Sequence, residues 1–134
     1  MTSPPKKILV VDDVFIIRNM VCNTLKKAGY NVELTENGAD AFLRATSTNP
    51  PFDLIISDIS MPRLDGYGLL KKLRKTEYTK SIPVIFLTSD GQKESVIKAL
   101  QGGGNDYIVK PYKPDLLLKK VSNQIEKCLA QPKL

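Results

Sequence analysis

The sequence predicts an α/β domain, a parallel sheet with helices on both faces. Short β-branched apolar runs alternate with amphipathic runs along the chain, and short connections rich in Gly, Pro, Asn and Asp separate them. The 134 residues fit one domain of common size, able to bury roughly two-thirds of its unfolded surface in a single sheet-and-helix core.

Residues 7–11 (Lys-Ile-Leu-Val-Val) are continuously apolar after the lysine, as a strand buried on both faces should be. Residues 15–27 then place Ile17, Met20, Val21, Leu25 and the following Ala28 at helical spacing, and Gly29 is the stop signal. A second strand over 31–35 and a short helix over 39–45 follow, the helix after Asn37-Gly38. Pro50-Pro51 marks a loop. A third strand over 53–57 leads to Asp58, and Leu69, Leu70 and Leu73 mark a third helix after Asp65-Gly66. The fourth strand spans 82–87, with Pro83 near its start, where a missing donor does least harm. A helix over 93–101 carries Val96, Ile97 and Leu100, and 107–109 is a fifth strand. The last helix spans 114–129, with Pro114 suited to its first turn and a stripe of Leu117, Val121, Ile125, Cys128 and Leu129. Domain bounds of 6–129 follow, with flexible ends over 1–5 and 130–134.

Composition excludes several function classes. The chain has no His, which removes histidine-based catalysis, phosphohistidine carriage and the usual zinc sites. Cys22 and Cys128 lie far apart with no ligand spacing, and no disulfide is expected in a reducing compartment. No apolar run is long enough to cross a bilayer, and Asp12 and Asp13 interrupt the only apolar stretch near the start, so no signal peptide is read and a cytoplasmic location is expected. The net charge of +6 comes from scattered basic residues, at 26–27, 71–75 and 119–120, without interleaved aromatics. That pattern predicts solvated helix faces, with neither direct nucleic-acid binding nor membrane binding.

In a doubly wound sheet, ligands sit beyond the carboxyl ends of the strands. The polar residues there are Asp12 and Asp13 after the first strand, Asp58 after the third, Thr88 and Ser89 after the fourth and Lys110 after the fifth. Taken singly, each has an ordinary reading: an Asp at a strand end is usually a cap or turn former, and a Lys before Pro a solvated loop residue. Together they bring three carboxylates, a hydroxyl and an ammonium to one edge. Carboxylates so placed repel unless a cation sits among them, and all-oxygen ligation with few protein groups suits Mg2+. A carboxylate beside such a metal can be a nucleophile toward phosphorus, with Lys110 and Thr88 contacting the phosphoryl oxygens.

These residues resemble the receiver domains of two-component response regulators, of the chemotaxis-receiver type. The anchors are Ile8-Leu-Val-Val-Asp-Asp13, Asp58-Ile-Ser-Met-Pro-Arg-Leu-Asp-Gly66, Leu87-Thr-Ser89 and Asp106-Tyr-Ile-Val-Lys-Pro111. The resemblance covers about residues 6–129 and implies a flavodoxin-like (βα)5 three-layer sandwich of strand order 2-1-3-4-5. It implies Asp58 as phosphoacceptor, Asp13 as a direct Mg2+ ligand, Asp12 as the holder of metal-bound water, and the Ser60 backbone carbonyl as a third protein ligand. Thr88 and Lys110 become the phosphoryl-sensing pair, Tyr107 the aromatic switch, and Ser60 and Asp90 the residues that tune phosphate lifetime. A cis Lys110–Pro111 peptide is implied too. The expected partners are a histidine kinase or phosphotransfer protein upstream, and a protein target on the face of the fourth helix, fifth strand and fifth helix. The expected state is a monomer or weak dimer with no turnover of a separate substrate. With no output domain after the fifth helix, it acts by protein contact or is the receiver of a longer protein.

Two features depart from the commonest pattern. Gly102-Gly103-Gly104 predicts a loose junction before the fifth strand. Val14-Phe-Ile-Ile17 carries more apolar residues than one buried face can use, either ordinary exposed surface or a docking patch for a kinase helix. Two other functions compete with the receiver. A phosphatase of the haloacid-dehalogenase type wants Asp-x-Asp after the first strand, whereas here the acids are adjacent and no cap domain fits. The other is a phosphate-independent interaction module keeping the same fold.

Overall fold

A computed structural model describes residues 4–89 and 93–130. The elements run β1 (Lys7–Val11), α1 (Phe15–Lys27), β2 (Asn31–Thr35), α2 (Gly38–Ser47), β3 (Leu54–Asp58), α3 (Gly66–Lys75), β4 (Val84–Thr88), α4 (Lys93–Gln101), β5 (Asp106–Val109) and α5 (Pro114–Ala130). The strands form one parallel sheet in the order β2-β1-β3-β4-β5.

Strand alternation divides the core into two layers. Leu9 and Val11 of β1 point to one face, with Ile55, Val84 and Phe86, and are covered by Ala41 and Ala45 of α2 and by Leu69, Leu70 and Leu73 of α3. Ile8 and Val10 point to the other, with Ile56, Ile85 and Leu87, and are covered by Val21 and Leu25 of α1 and by Leu117, Val121 and Ile125 of α5. Each fully buried branched side chain contributes about 1.5–3 kcal/mol of transfer free energy. This two-sided burial explains why β1, β3 and β4 read as unbroken apolar runs, while the edge strands β2 and β5 are partly exposed.

Element ends differ slightly from the sequence expectation. α2 is longer than 39–45 because Asn37 caps it, its Oδ1 accepting from the Asp40 amide at 2.8 Å. β4 begins after Pro83, which has no amide to donate, although its carbonyl accepts from Ile55 at 3.0 Å. β3 and β4 include Asp58 and Thr88 as their last residues, so sheet hydrogen bonds fix the backbone of both. Gly29, with φ of +97°, turns the chain sharply after α1.

Three expected core positions are corrected. Met20 and Ile97 are exposed large apolar residues, and Ala28 is also exposed. The helices bury a narrower stripe than periodicity suggested: in α1 it is Val21, Cys22 and Leu25. Asp90 and the side chains of Val96 and Leu129 lie outside the described residues. Phe15 and Ile16 are 68% and 67% exposed, so the apolar run at the start of α1 faces outward. At the Gly102–Gly104 junction, Arg74 donates to the Gly103 carbonyl from Nε at 3.2 Å and Nη2 at 2.9 Å.

Candidate functional site

The carboxyl ends of β1, β3 and β5 deliver the charged groups to one crevice. Asp12 follows β1 directly, and its amide donates to the Thr35 carbonyl at 3.2 Å, which continues the β1–β2 ladder by one residue. Its Oδ1 accepts from the Val14 amide at 2.9 Å and so turns the chain into α1. Arg18, one turn into that helix, donates from Nη1 to the Asp12 carbonyl at 2.7 Å and braces the same turn. The other carboxylate oxygen of Asp12, Oδ2, is buried without a hydrogen-bond partner, with the Lys110 ammonium 3.2 Å away.

Asp58 ends β3, almost wholly buried. Its Oδ1 accepts from the Ile59 amide at 2.8 Å, and its Oδ2 lies 3.3 Å from Lys110 Nζ. Behind it, Gly66 opens α3 and donates its amide to the Ile59 carbonyl at 2.7 Å. A Cβ at Gly66 would fall 2.5 Å from the Asp58 carbonyl oxygen, so only glycine lets α3 start this close to the end of β3. Asp65, immediately before it, caps α3 by accepting from the Gly68 amide at 2.8 Å. The Asp65-Gly66 pair thus fixes the loop that leaves Asp58.

Carboxylate oxygens of Asp12, Asp13 and Asp58 all lie within 4.8 Å of one another, with Asp13 exposed at the mouth. Burial raises the Asp58 carboxyl above its ordinary value. The Lys110 ammonium pulls it down, and the Asp12 charge pushes it up again. Three acids facing one ammonium leave an excess of negative charge, and an unbonded buried oxygen faces it. That donor set fits a hard divalent cation.

Lys110 is positioned by the sheet: its amide donates to the Thr88 carbonyl at 2.7 Å, and the Lys110–Pro111 peptide is cis. Thr88 is buried, with its hydroxyl 3.4 Å from the Ser89 carbonyl that accepts from it. The register Phe86↔Tyr107 and Thr88↔Val109 puts Tyr107 on the same sheet face as Thr88. Tyr107 is exposed, and the Lys120 ammonium lies 4.8 Å from its ring centroid while donating to its carbonyl at 2.6 Å. Ser60 is exposed, two residues past Asp58. The structure therefore gathers Asp12, Asp13, Asp58 and Lys110, and sets Thr88 at the neighbouring strand end.

Residues 8–122 match the family model of the response regulator receiver domain. The chain belongs to that family. The receiver domain is 40% identical over 116 residues to the chemotaxis protein CheY1 of Helicobacter pylori, covering 86% of this chain and 93% of that one. Among solved structures it is similar to the chemotaxis response regulator CheY4 of Vibrio cholerae, with a TM-score of 0.82, 36% identity, and coverage of 90% of this chain and 98% of that one. It is also similar to the receiver domain of the Francisella response regulator 1452, with a TM-score of 0.81, 32% identity, and coverage of 91% and 98%. As a receiver domain it is a two-component signalling module rather than a turnover enzyme, which sets aside the phosphatase alternative. Its acidic pocket is consistent with an aspartate phosphoacceptor, and the family implies a kinase partner in general.

Sequence reasoning missed Arg18 and Gly66 as positioning residues. Arg18 acts on a backbone carbonyl, which leaves no side-chain pairing to detect. The sequence shows Gly66 only as the residue before the third helix, and its role as a close approach is visible only once α3 is placed against β3.

Proposed function

We propose that Asp58 takes a phosphoryl group from the phosphohistidine of a histidine kinase or phosphotransfer protein, and that phosphorylation switches a protein-binding face of a cytoplasmic signalling domain spanning residues 6–129. The observation that carries this reading is the meeting of three carboxylates within 4.8 Å, with Lys110 3.3 Å from Asp58 Oδ2.

A carboxylate oxygen of Asp58 attacks phosphorus as the bond to the donor imidazole breaks, and the leaving imidazole takes up a proton. Oδ1 is held by the Ile59 amide and Oδ2 faces Lys110, so attack from Oδ2 takes place beside the ammonium that meets the incoming phosphoryl oxygens. Lys110 offsets charge on an incoming phosphoryl oxygen, and Thr88 donates its hydroxyl to another. Mg2+ held by Asp12, Asp13, Asp58 and the Ser60 carbonyl would supply the remaining charge compensation. Drawing Thr88 toward the phosphoryl group vacates space on the sheet face it shares with Tyr107, and Tyr107 turns inward from its exposed position. That rotation reshapes the surface of α4, β5 and α5, the face assigned to the downstream protein. Ser60 and Asp90 govern the approach of water to the acyl phosphate. The outward-facing Phe15 and Ile16 beside the pocket suit contact with the donor's helix.

Intact-mass spectrometry after incubation with acetyl phosphate and Mg2+ tests the reading. One phosphate should add to the wild type, and none to Asp58→Ala or to wild type with a chelator. Equal labelling of Asp58→Ala would refute it.

A further inference from the structure

The cleft between α3 and α4 has no part in the phosphoacceptor pocket. It is a cavity of about 370 Å3 lined by the half-buried Tyr67, with the core residue Leu70 beneath and Gly102 also in its lining. Lys71 and Lys75, one turn apart on α3 and both exposed, line one wall. Lys98 of α4 lines the other, with its ammonium 5.0 Å from the Tyr67 ring centroid. Arg74 also borders the cleft, but its guanidinium is committed to the carbonyls of Lys80, Ile82 and Gly103 and to Asn105 Oδ1.

Lys7, Lys80, Lys110 and Lys120 each stand beside a carboxylate; among the described residues Lys71, Lys75 and Lys98 form no ion pair, as is true of other exposed lysines such as Lys26 and Lys27, but these three line one cleft. Glu94, one turn before Lys98 on α4, makes none with it either. Like charges one helical turn apart repel, so the groove gathers positive charge at a small cost to the free protein. A partner of opposite sign relieves that cost.

We infer that this groove docks an acidic peptide segment of a protein partner, with an apolar side chain of the segment seated against the half-buried Tyr67 ring and its carboxylates reaching Lys71, Lys75 and Lys98. An apolar floor with a cationic rim suits an anchored side chain flanked by acids. A nucleic-acid backbone would instead call for an extended basic stripe with stacking aromatics. The inference goes beyond the phosphoacceptor reading and needs no phosphate on Asp58.

The test is fluorescence anisotropy on the unphosphorylated protein with a labelled peptide of Glu and Asp residues around a single Phe. Lys71→Glu/Lys75→Glu and Lys98→Glu should each weaken binding, the double variant by about tenfold. Lys26→Glu/Lys27→Glu makes the same charge change as the double variant at the exposed end of α1 and should change it less than about twofold. Replacing the peptide's Phe with Ala should also weaken binding. Equal losses in the groove and control variants would reduce the effect to net charge and overturn the inference. So would indifference to the Phe, or stronger binding of a single-stranded oligonucleotide. All variants change exposed lysines, and circular dichroism melting confirms that they fold. Asp58 labelling is scored separately, so either reading can fail without the other.

Discussion

Asp58 is buried where its charge is disfavoured, and Lys110, with the Ile59 amide, works against that. Its folded-state pKa is raised by burial first and by Asp12 further, with Lys110 opposing. A raised acid binds its proton more tightly in the folded state. Its favourable contribution is therefore complete below the unfolded value, near 3.9, and is lost as pH rises through the folded value. At neutral pH the ionised carboxylate is a cost. In chelator, Asp58→Asn should raise the melting temperature at pH 7 by a few degrees, the shift that roughly 1 kcal/mol produces in a domain of this size. The gain should fade as pH falls through the raised folded value and be gone below about 4, where Asp58 is neutral in both states. Thermal melts of both proteins across that range check it, and a variant less stable than wild type at pH 7 would contradict it. The acids and Lys110 were legible in the sequence because strand ends can be counted and each strand end falls on the same edge of a parallel sheet. Arg18 was not, since its partner is a backbone carbonyl that carries no sequence identity.

The junction between α4 and β5 carries contacts that its three glycines do not announce. Three glycines in a row predict looseness, yet Arg74 of α3 binds the Gly103 carbonyl twice and Asn105 Oδ1 once. Asn105 in turn accepts from the Val84 amide at 2.9 Å, so one arginine ties α3, the start of β4 and the start of β5 together. Burial lowers the pKa of this guanidinium, as expected for a cation satisfied mainly by carbonyls. Arg74→Met should free Gly103 and Asn105, cost about 0.5–1.5 kcal/mol, chiefly through the part-buried contact to the Ile82 carbonyl, and speed amide exchange over residues 102–109. Hydrogen exchange that left that segment as protected as in wild type would show the clamp to be idle. Within elements, the narrow burial of α1 explains the exposure of Met20: helical periodicity marks every apolar residue near one face, but the sheet covers only Val21, Cys22 and Leu25. Pro83 was placed inside its strand for a similar reason, because apolar character extends beyond the residues that make ladder bonds.

At the scale of the whole molecule, alternation of strands and helices fixed the fold class, and the resemblance supplied the strand order that the structure shows. That order puts β1 between β2 and β3, so the acids after β1 face Asp58 at the end of β3, while β4 and β5 bring Thr88 and Lys110 from the other side. Surface placement of the excess positive charge was less legible. Composition gives its size, but only packing shows that Lys71, Lys75 and Lys98 line one groove. The central claim is that residues distant along the chain build one divalent-cation site. Titrating Mg2+ into 15N-labelled protein and following amide shifts tests it most directly. The account predicts saturable shifts with single-site behaviour, concentrated at Asp12, Asp13, Asp58, Ile59, Ser60 and Lys110, and greatly weakened in Asp13→Asn. Shifts that fail to saturate, or that centre on another part of the surface, would contradict it.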